Sequence, residues 1–225
     1  MWVKICGITT EDDALLAIAL GADAIGFVFA PGSPRQVAPA TARDIIRRLP
    51  KEAVTVGVFR DERPERVVEI VSKCGLKGAQ LHGREPASEV RWIRKRIPFV
   101  IQAFAAGDPA IASAANGPVD VVLVDSPNPG SGTTFDWSLA EAPGGVRLLL
   151  AGGLTPDNVA EAIERVRPWG VDVSSGVEMT PGRKDPRKLR RFIEMAKAIG
   201  DELIVEERIE PTPADAPYDW EAENY

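Results

Sequence analysis

Histidine occurs once in this chain, at 82, and cysteine twice, at 6 and 74. Two cysteines make no disulfide framework, and with a single histidine they cannot complete a usual zinc set. Long apolar runs are missing too. No stretch approaches the roughly 20 residues that span a bilayer, and the N-terminus MWVKICGIT has no basic region leading into an apolar core. The composition therefore predicts a reducing, cytoplasmic setting with no export signal and no membrane anchor. Positive charge is also scarce, 27 Lys and Arg against 33 Asp and Glu, for a net charge of −6. Such a surface offers nucleic acid no basic stripe to trade for counterions. The one basic run, Arg183–Arg191, is short and interrupted and reads as a solvated loop and helix face.

What the sequence does have is alternation. Apolar runs rich in Val, Ile and Phe exchange with stretches of helical period as far as about residue 200, the signature of repeated strand–helix units. Strands are expected at 2–7, 24–29, 54–59, 78–82, 99–104, 119–124, 146–151 and 170–174. Most are continuously apolar, as strands covered on both faces must be. The helices carry their own punctuation. Thr10 and Asp13 form a capping box with Gly21 as the stop, Pro39 opens a helix closed by Pro50, and Pro64 opens one ending at Gly75. Thr155 and Pro156 read as a cap and first-turn pair for a helix over 156–167, and further helices fit 86–96, 109–115 and 186–199. The connection 126–145, rich in Pro, Gly and Ser, reads largely as loop.

Eight such units in about 200 residues average roughly 25 residues each, the compact end of the single-domain (β/α)8 barrel. An open doubly wound sheet fits less well, because the first turn, Cys6-Gly7-Ile8-Thr9, holds no GxGxxG. Residues 1–200 are thus expected to form one barrel. Residues 201–225, acidic and Pro-containing, are expected to be a disordered or loosely packed extension.

Reactive groups of a barrel sit at the C-terminal tips of its strands. The polar residues there are Lys4, Cys6, Gly7, Gln80, His82, Gln102, Asp125, Asp172 and Ser174. Cys6 and Asp125 form a potential base and acid on opposite sides of the ring. Work at neutral pH would require the thiol lowered from about 8.5 and the carboxyl raised from about 3.9. Arg35, in the loop after the second strand, suits a substrate carboxylate. His82 reads as a pocket wall, and Cys74 as structural. Two successive strand tips, LLLAGGLTPDNV (148–159) and VDVSSGVE (171–178), run from apolar residues into small-residue turns. Gly152 and Gly153, with Ser174, Ser175 and Gly176, can offer bare backbone N–H groups to a phosphate.

At these residues the chain resembles a known family. KICGIT (4–9), GADAIGFVF (21–29), SPR (33–35), QLHG (80–83), LVDS (123–126), SGTTFDW (131–137), AGGLTPDNV (151–159), VDVSSGVE (171–178) and PGRKD (181–185) are similar, in order, to motifs of phosphoribosylanthranilate isomerases of tryptophan biosynthesis. The resemblance implies a (β/α)8 barrel with no cofactor and no metal, and an Amadori rearrangement of a phosphorylated sugar–anthranilate substrate. It assigns Cys6 as general base and Asp125 as general acid. Arg35 would face the anthranilate carboxylate and Asp172 would lie beside the phosphate turns; Asp172 and, as a pocket wall, His82 are also expected to contact the substrate. The phosphate falls to Gly152, Gly153, Ser174, Ser175 and Gly176. Family members occur alone and paired, so either a monomer or a homodimer is implied. A non-catalytic phospho-ligand sensor is the alternative from another class, and intact Cys6, Asp125 and Arg35 speak against it. An isomerase also acting on the histidine-pathway aminoaldose would pair two aspartates, which Cys6 disfavours.

Overall fold

The computed structural model describes residues 1–115, 117–126, 134–140 and 145–209. Eight parallel strands close into a barrel in chain order. They are β1 (Trp2–Ile5), β2 (Ala24–Val28), β3 (Val54–Phe59), β4 (Gly78–Leu81), β5 (Val100–Ala105), β6 (Val121–Asp125), β7 (Arg147–Leu150) and β8 (Gly170–Val173). The ring closes between β1 and β8, where Lys4 pairs with Asp172 and Ile5 with Val173. The expected (β/α)8 architecture is present, each strand within about two residues of its predicted bounds.

Strand alternation divides the core in two. Residues facing out, such as Val3, Ile5, Ile25, Phe27, Val122 and Val124, join the helices in the main hydrophobic layer. Inward residues stack inside the ring in layers: Val56, Ile101, Leu123 and Leu149 lie in the middle, and Cys6, Val28 and Val58 lie toward the mouth. The opposite end is plugged by Trp2, stacked on Trp169 at 4.7 Å and tilted against Phe99.

The helices follow the local signals for the most part. Helices α1 (Glu11–Ala19), α2 (Pro39–Ile46) and α3 (Pro64–Cys74) begin where their caps and prolines predict, and α3 ends at Gly75 in the left-handed region, φ 74°. On α3 the buried face is Val67, Ile70, Val71 and Cys74, the i, i+3, i+4, i+7 stripe of an amphipathic helix. Cys74 is structural, as expected: its thiol donates to the Pro39 carbonyl at 3.2 Å. Helices α4 (Ala87–Arg94) and α5 (Ala110–Ala115) cover the next two strands.

Four expectations are corrected. The capping box of α1 is only half made: Thr10 accepts from Asp13 N at 3.3 Å, but the Asp13 carboxylate accepts from the backbone N–H of Lys184 instead. Helix α6 starts at Val159, three residues late, because Asn158 Oδ1 accepts from Thr155 N and Thr155 Oγ1 from Asp157 N, locking Thr155–Asn158 into a turn. After β8 the chain forms a hairpin that periodicity did not reveal, β9 (Glu178–Thr180) with β10 (Arg183–Lys184), turning at Pro181-Gly182. The last helix, α7 (Pro186–Ile209), continues ten residues beyond 199, with Leu203 packed on the core. The extension expected from 201 is therefore helical at its start, and its residues 210–225 lie outside the described residues. The connection 126–145 contains a single 3-10 turn, Trp137–Leu139, among its described residues. No helix among the described residues is long and apolar enough to cross a membrane.

Candidate active site

A cavity of about 390 Å³ opens at the C-terminal mouth of the barrel. Cys6, Arg35, His82, Asp125, Asp172 and Ser174 all line it. Six side chains from β1, β4, β6, β8 and the loop after β2 thus converge, although up to 168 residues separate them in sequence. The convergence follows from closure, since each strand tip delivers its inward residue to one ring.

Asp125 is buried and its two oxygens are differently engaged. Oδ1 accepts from Ser126 N at 2.7 Å, and Oδ2 lies 3.4 Å from His82 Nε2. On its other nitrogen His82 contacts Gln80 Nε2, at 2.9 Å. An amide N–H directed at Nδ1 makes that nitrogen the acceptor and leaves the ring proton on Nε2, facing the carboxylate. His82 is therefore more than a wall, because its Nε2 faces the Asp125 carboxylate.

Cys6 is buried at 7 % exposure beside charged neighbours. Burial pushes its thiol up, and Asp172 adds to the rise, while the Lys4 and Lys184 ammoniums pull it down; the net direction is upward. The lowered thiol that work at neutral pH would require is not what the site provides, because burial in the barrel outweighs the cations.

Arg35 reaches the cavity, but its guanidinium is held within the protein. Nε and Nη2 donate to the two oxygens of Glu178 at 2.9 and 2.8 Å, a buried fork that raises the arginine above its usual range. Only its remaining N–H groups can meet a substrate carboxylate. Glu178 also accepts from Lys184 Nζ at 3.0 Å, and burial of this carboxyl is outweighed by Arg35 and Lys184, which hold it below the usual range. Lys184 Nζ further donates to the carbonyls of Cys6, at 2.6 Å, and Ser174, at 3.1 Å. The basic run Arg183–Arg191 is expected to be solvated, and Lys184 departs from that expectation, its side chain being fully buried. Glu178 and Lys184 are the site residues that spacing and composition missed. Their signal was present only in the motifs VDVSSGVE and PGRKD. Asp172, expected on the substrate, has Oδ1 bonded to Lys4 Nζ at 2.9 Å.

The small-residue turns also meet. Gly152, at φ 88°, brings the turn after β7 so close to Asp125 that a Cβ there would lie 2.5 Å from Ser126 N and 3.0 Å from Asp125 Oδ1. Gly153 follows at φ 66°, and Gly176, in the 3-10 turn Ser175–Val177 after β8, packs directly on the Leu154 carbonyl. The Ser174 hydroxyl between them is buried without a hydrogen-bond partner among the described residues. No group of three or more His, Cys, Asp or Glu suited to a metal ion occurs among the described residues.

Residues 3–195 match the family model described as PRAI, N-(5'phosphoribosyl)anthranilate (PRA) isomerase. An N-(5'-phosphoribosyl)anthranilate isomerase from Desulforudis audaxviator is 52 % identical over 203 residues, covering 87 % of this chain and 97 % of the relative. The crystal structure of phosphoribosyl anthranilate isomerase from Thermus thermophilus aligns with TM-score 0.83 at 43 % identity, over 88 % of this chain and 100 % of that one. A further isomerase structure, in complex with reduced 1-(o-carboxyphenylamino)-1-deoxyribulose 5-phosphate, aligns with TM-score 0.78 at 41 % identity, over 88 % of this chain and 99 % of that one. With barrel, mouth cavity and ordered motifs all in agreement, this chain belongs to the phosphoribosylanthranilate isomerase family.

Proposed function

We propose that this chain converts N-(5-phosphoribosyl)anthranilate to 1-(2-carboxyphenylamino)-1-deoxyribulose 5-phosphate, with Asp125 as general acid and Cys6 as general base. The observation that carries the reading is that both groups line one cavity of about 390 Å³, with the Ser174 hydroxyl, buried without a partner among the described residues, at the same mouth. The protonated carboxyl of Asp125 gives its proton to the furanose ring oxygen. The C1–O bond breaks, the anthranilate nitrogen supplies its lone pair, and an open-chain Schiff base results. Cys6, as thiolate, removes the C2 proton, leaving an enolamine that tautomerises to the C2 ketone. His82 holds Asp125 in line. Gly152, Gly153, Ser174, Ser175 and Gly176 receive the phosphate, and the free edge of the Arg35 fork receives the anthranilate carboxylate.

The upward push on the Cys6 thiol fits this scheme. A base works in proportion to its ionised fraction, yet a thiolate of higher pKa takes a carbon-bound proton more strongly. The active form needs a Cys6 thiolate together with a protonated Asp125, and because burial pushes the thiol upward the thiolate is the minor species at neutral pH. The population of that form is flat between the two pKa values and falls about tenfold per pH unit outside them. The test is direct: purified protein given the aminoaldose should discharge the fluorescence of the anthranilate substrate catalytically. Absence of turnover would sink the assignment.

A further inference from the structure

Beneath Cys6, two residues back on β1 and on the same inward face, lies Lys4, with no solvent exposure at all. A lysine in the middle of a barrel is costly unless something on site needs its charge. Asp172 is one partner, at 2.9 Å, placed by the β1–β8 register. The other is the sulfur. A Cβ added at Gly26 on β2 would lie 3.0 Å from Cys6 Sγ and 3.3 Å from Lys4 Nζ, so the bare Cα of Gly26 clears the space the two atoms share. Charge arithmetic points the same way. The groups around the sulfur are Lys4 on β1, Asp172 on β8, Lys184 on β10 and Arg35 in the loop after β2, with Glu178 on β9 joining the last two. Three cations face two carboxylates. Burial lowers the Lys184 ammonium while Glu178, at 3.0 Å, favours its charge; with Lys184 charged the buried cluster is one positive charge over neutral while Cys6 is a thiol, and balanced when Cys6 is a thiolate. Asp125 and His82 face the same cavity from the opposite wall.

We propose that Lys4 is a positioning residue for the general base: Asp172 and the missing side chain of Gly26 hold its ammonium against Cys6 Sγ, where it supports the thiolate that takes the substrate proton. The inference rests on the reading of Cys6 as base. Burial lowers the Lys4 ammonium, but Asp172 and Cys6 together raise it above its usual value, so it stays charged across the working range.

Iodoacetamide labelling of Cys6 against pH, followed by peptide mass spectrometry to separate it from Cys74, reads the thiolate without substrate. In Lys4→Met the thiolate fraction at a fixed pH should fall at least about tenfold, a rise of one unit or more in thiol pKa. The flat region of kcat/KM should drop by the same factor, and its alkaline limb should move up with the thiol. Gly26→Ala keeps every charge and pushes the two atoms apart, so it should shift labelling in the same direction by a smaller amount. It decides alone if Lys4→Met does not fold. Unchanged labelling profiles in the folded variants would overturn the proposal. Normal turnover in Cys6→Ala would instead remove the base role, a failure the labelling experiment is independent of.

Discussion

The two walls of the mouth solve the same problem in opposite ways. On the side of β1, β8 and the β9–β10 hairpin, Cys6 sits in a lattice of formal charge: Lys4 with Asp172, and Arg35 and Lys184 both on Glu178. On the side of β4 and β6, Asp125 accepts from the Ser126 N–H and faces one imidazole, which in turn contacts one amide. The thiol wall is rigid because each charge fixes the next, and removing one strands its neighbours in a medium that cannot solvate them. The acid wall is a chain of polar contacts with a loose end, since Gln80 Oε1 is buried without a hydrogen-bond partner among the described residues. Substitutions of the charged residues on the first wall should therefore cost fold and function together, and those on the second should cost function alone.

The largest effects come from the reacting groups, and they test whether both walls are needed. Cys6→Ala and Asp125→Asn should each lower kcat by at least about a hundredfold while circular dichroism stays native. Near-normal turnover in either would remove that wall from the chemistry. Next comes the lattice itself. Lys184→Met leaves Glu178 buried with Arg35 alone and releases the Cys6 and Ser174 carbonyls, a loss of about 3 kcal/mol. For a chain of this size that lowers the melting temperature by roughly 6–12 °C, and kcat should fall with it. An unchanged melting curve would mean the charges do not hold the thiol wall.

How much of this was legible in the sequence divides along the same line. The barrel was readable because strand and helix signals are local: Pro39, Pro64 and Gly75 punctuate their helices wherever those pack. Cys6, Asp125 and the two small-residue turns were readable because they terminate apolar runs. The lattice was not. Glu178 and Lys184 stand among polar residues around Pro181-Gly182, a pattern indistinguishable from a solvated loop, and the partners that bury them lie 143 and 178 residues away. Arg35 was found as a cation at the mouth, but its capture by Glu178 is a tertiary fact with no local trace. The delayed start of α6 was missed for a smaller reason, since Thr155 and Asn158 are both good caps and only their mutual hydrogen bond chooses between them.

The acid wall gives the sharper contrast in the middle range. Gln80→Met removes the donor to His82 Nδ1 and also the unpartnered Oε1, so stability should change by less than about 1 kcal/mol. His82 is then free to turn from Asp125, and kcat should fall about tenfold with KM nearly unchanged. A large drop in melting temperature would make the two walls alike. The pH profile sharpens the thiol side further. Because burial pushes Cys6 upward, the alkaline limb of kcat/KM should lie above the ordinary thiol value of about 8.5. A limb below it would mean the cations win over burial.

The smallest effect belongs to the other cysteine. Cys74 lies outside the ring, on the buried stripe of α3, and its only polar duty among the described residues is the bond to the Pro39 carbonyl at the start of α2. Cys74→Ala removes one sulfur and one weak hydrogen bond, a loss of about 1 kcal/mol, with kcat and its pH profile unchanged. The two cysteines share burial and an upward-shifted thiol, so burial cannot be what separates them. What does is the facing charge: Lys4 Nζ and the Cys6 sulfur border the same space over Gly26, with Asp172 and Lys184 also acting on the thiol, whereas the charges acting on Cys74 are Arg43 and Arg66. A Cys74→Ala variant with an altered alkaline limb would erase that distinction.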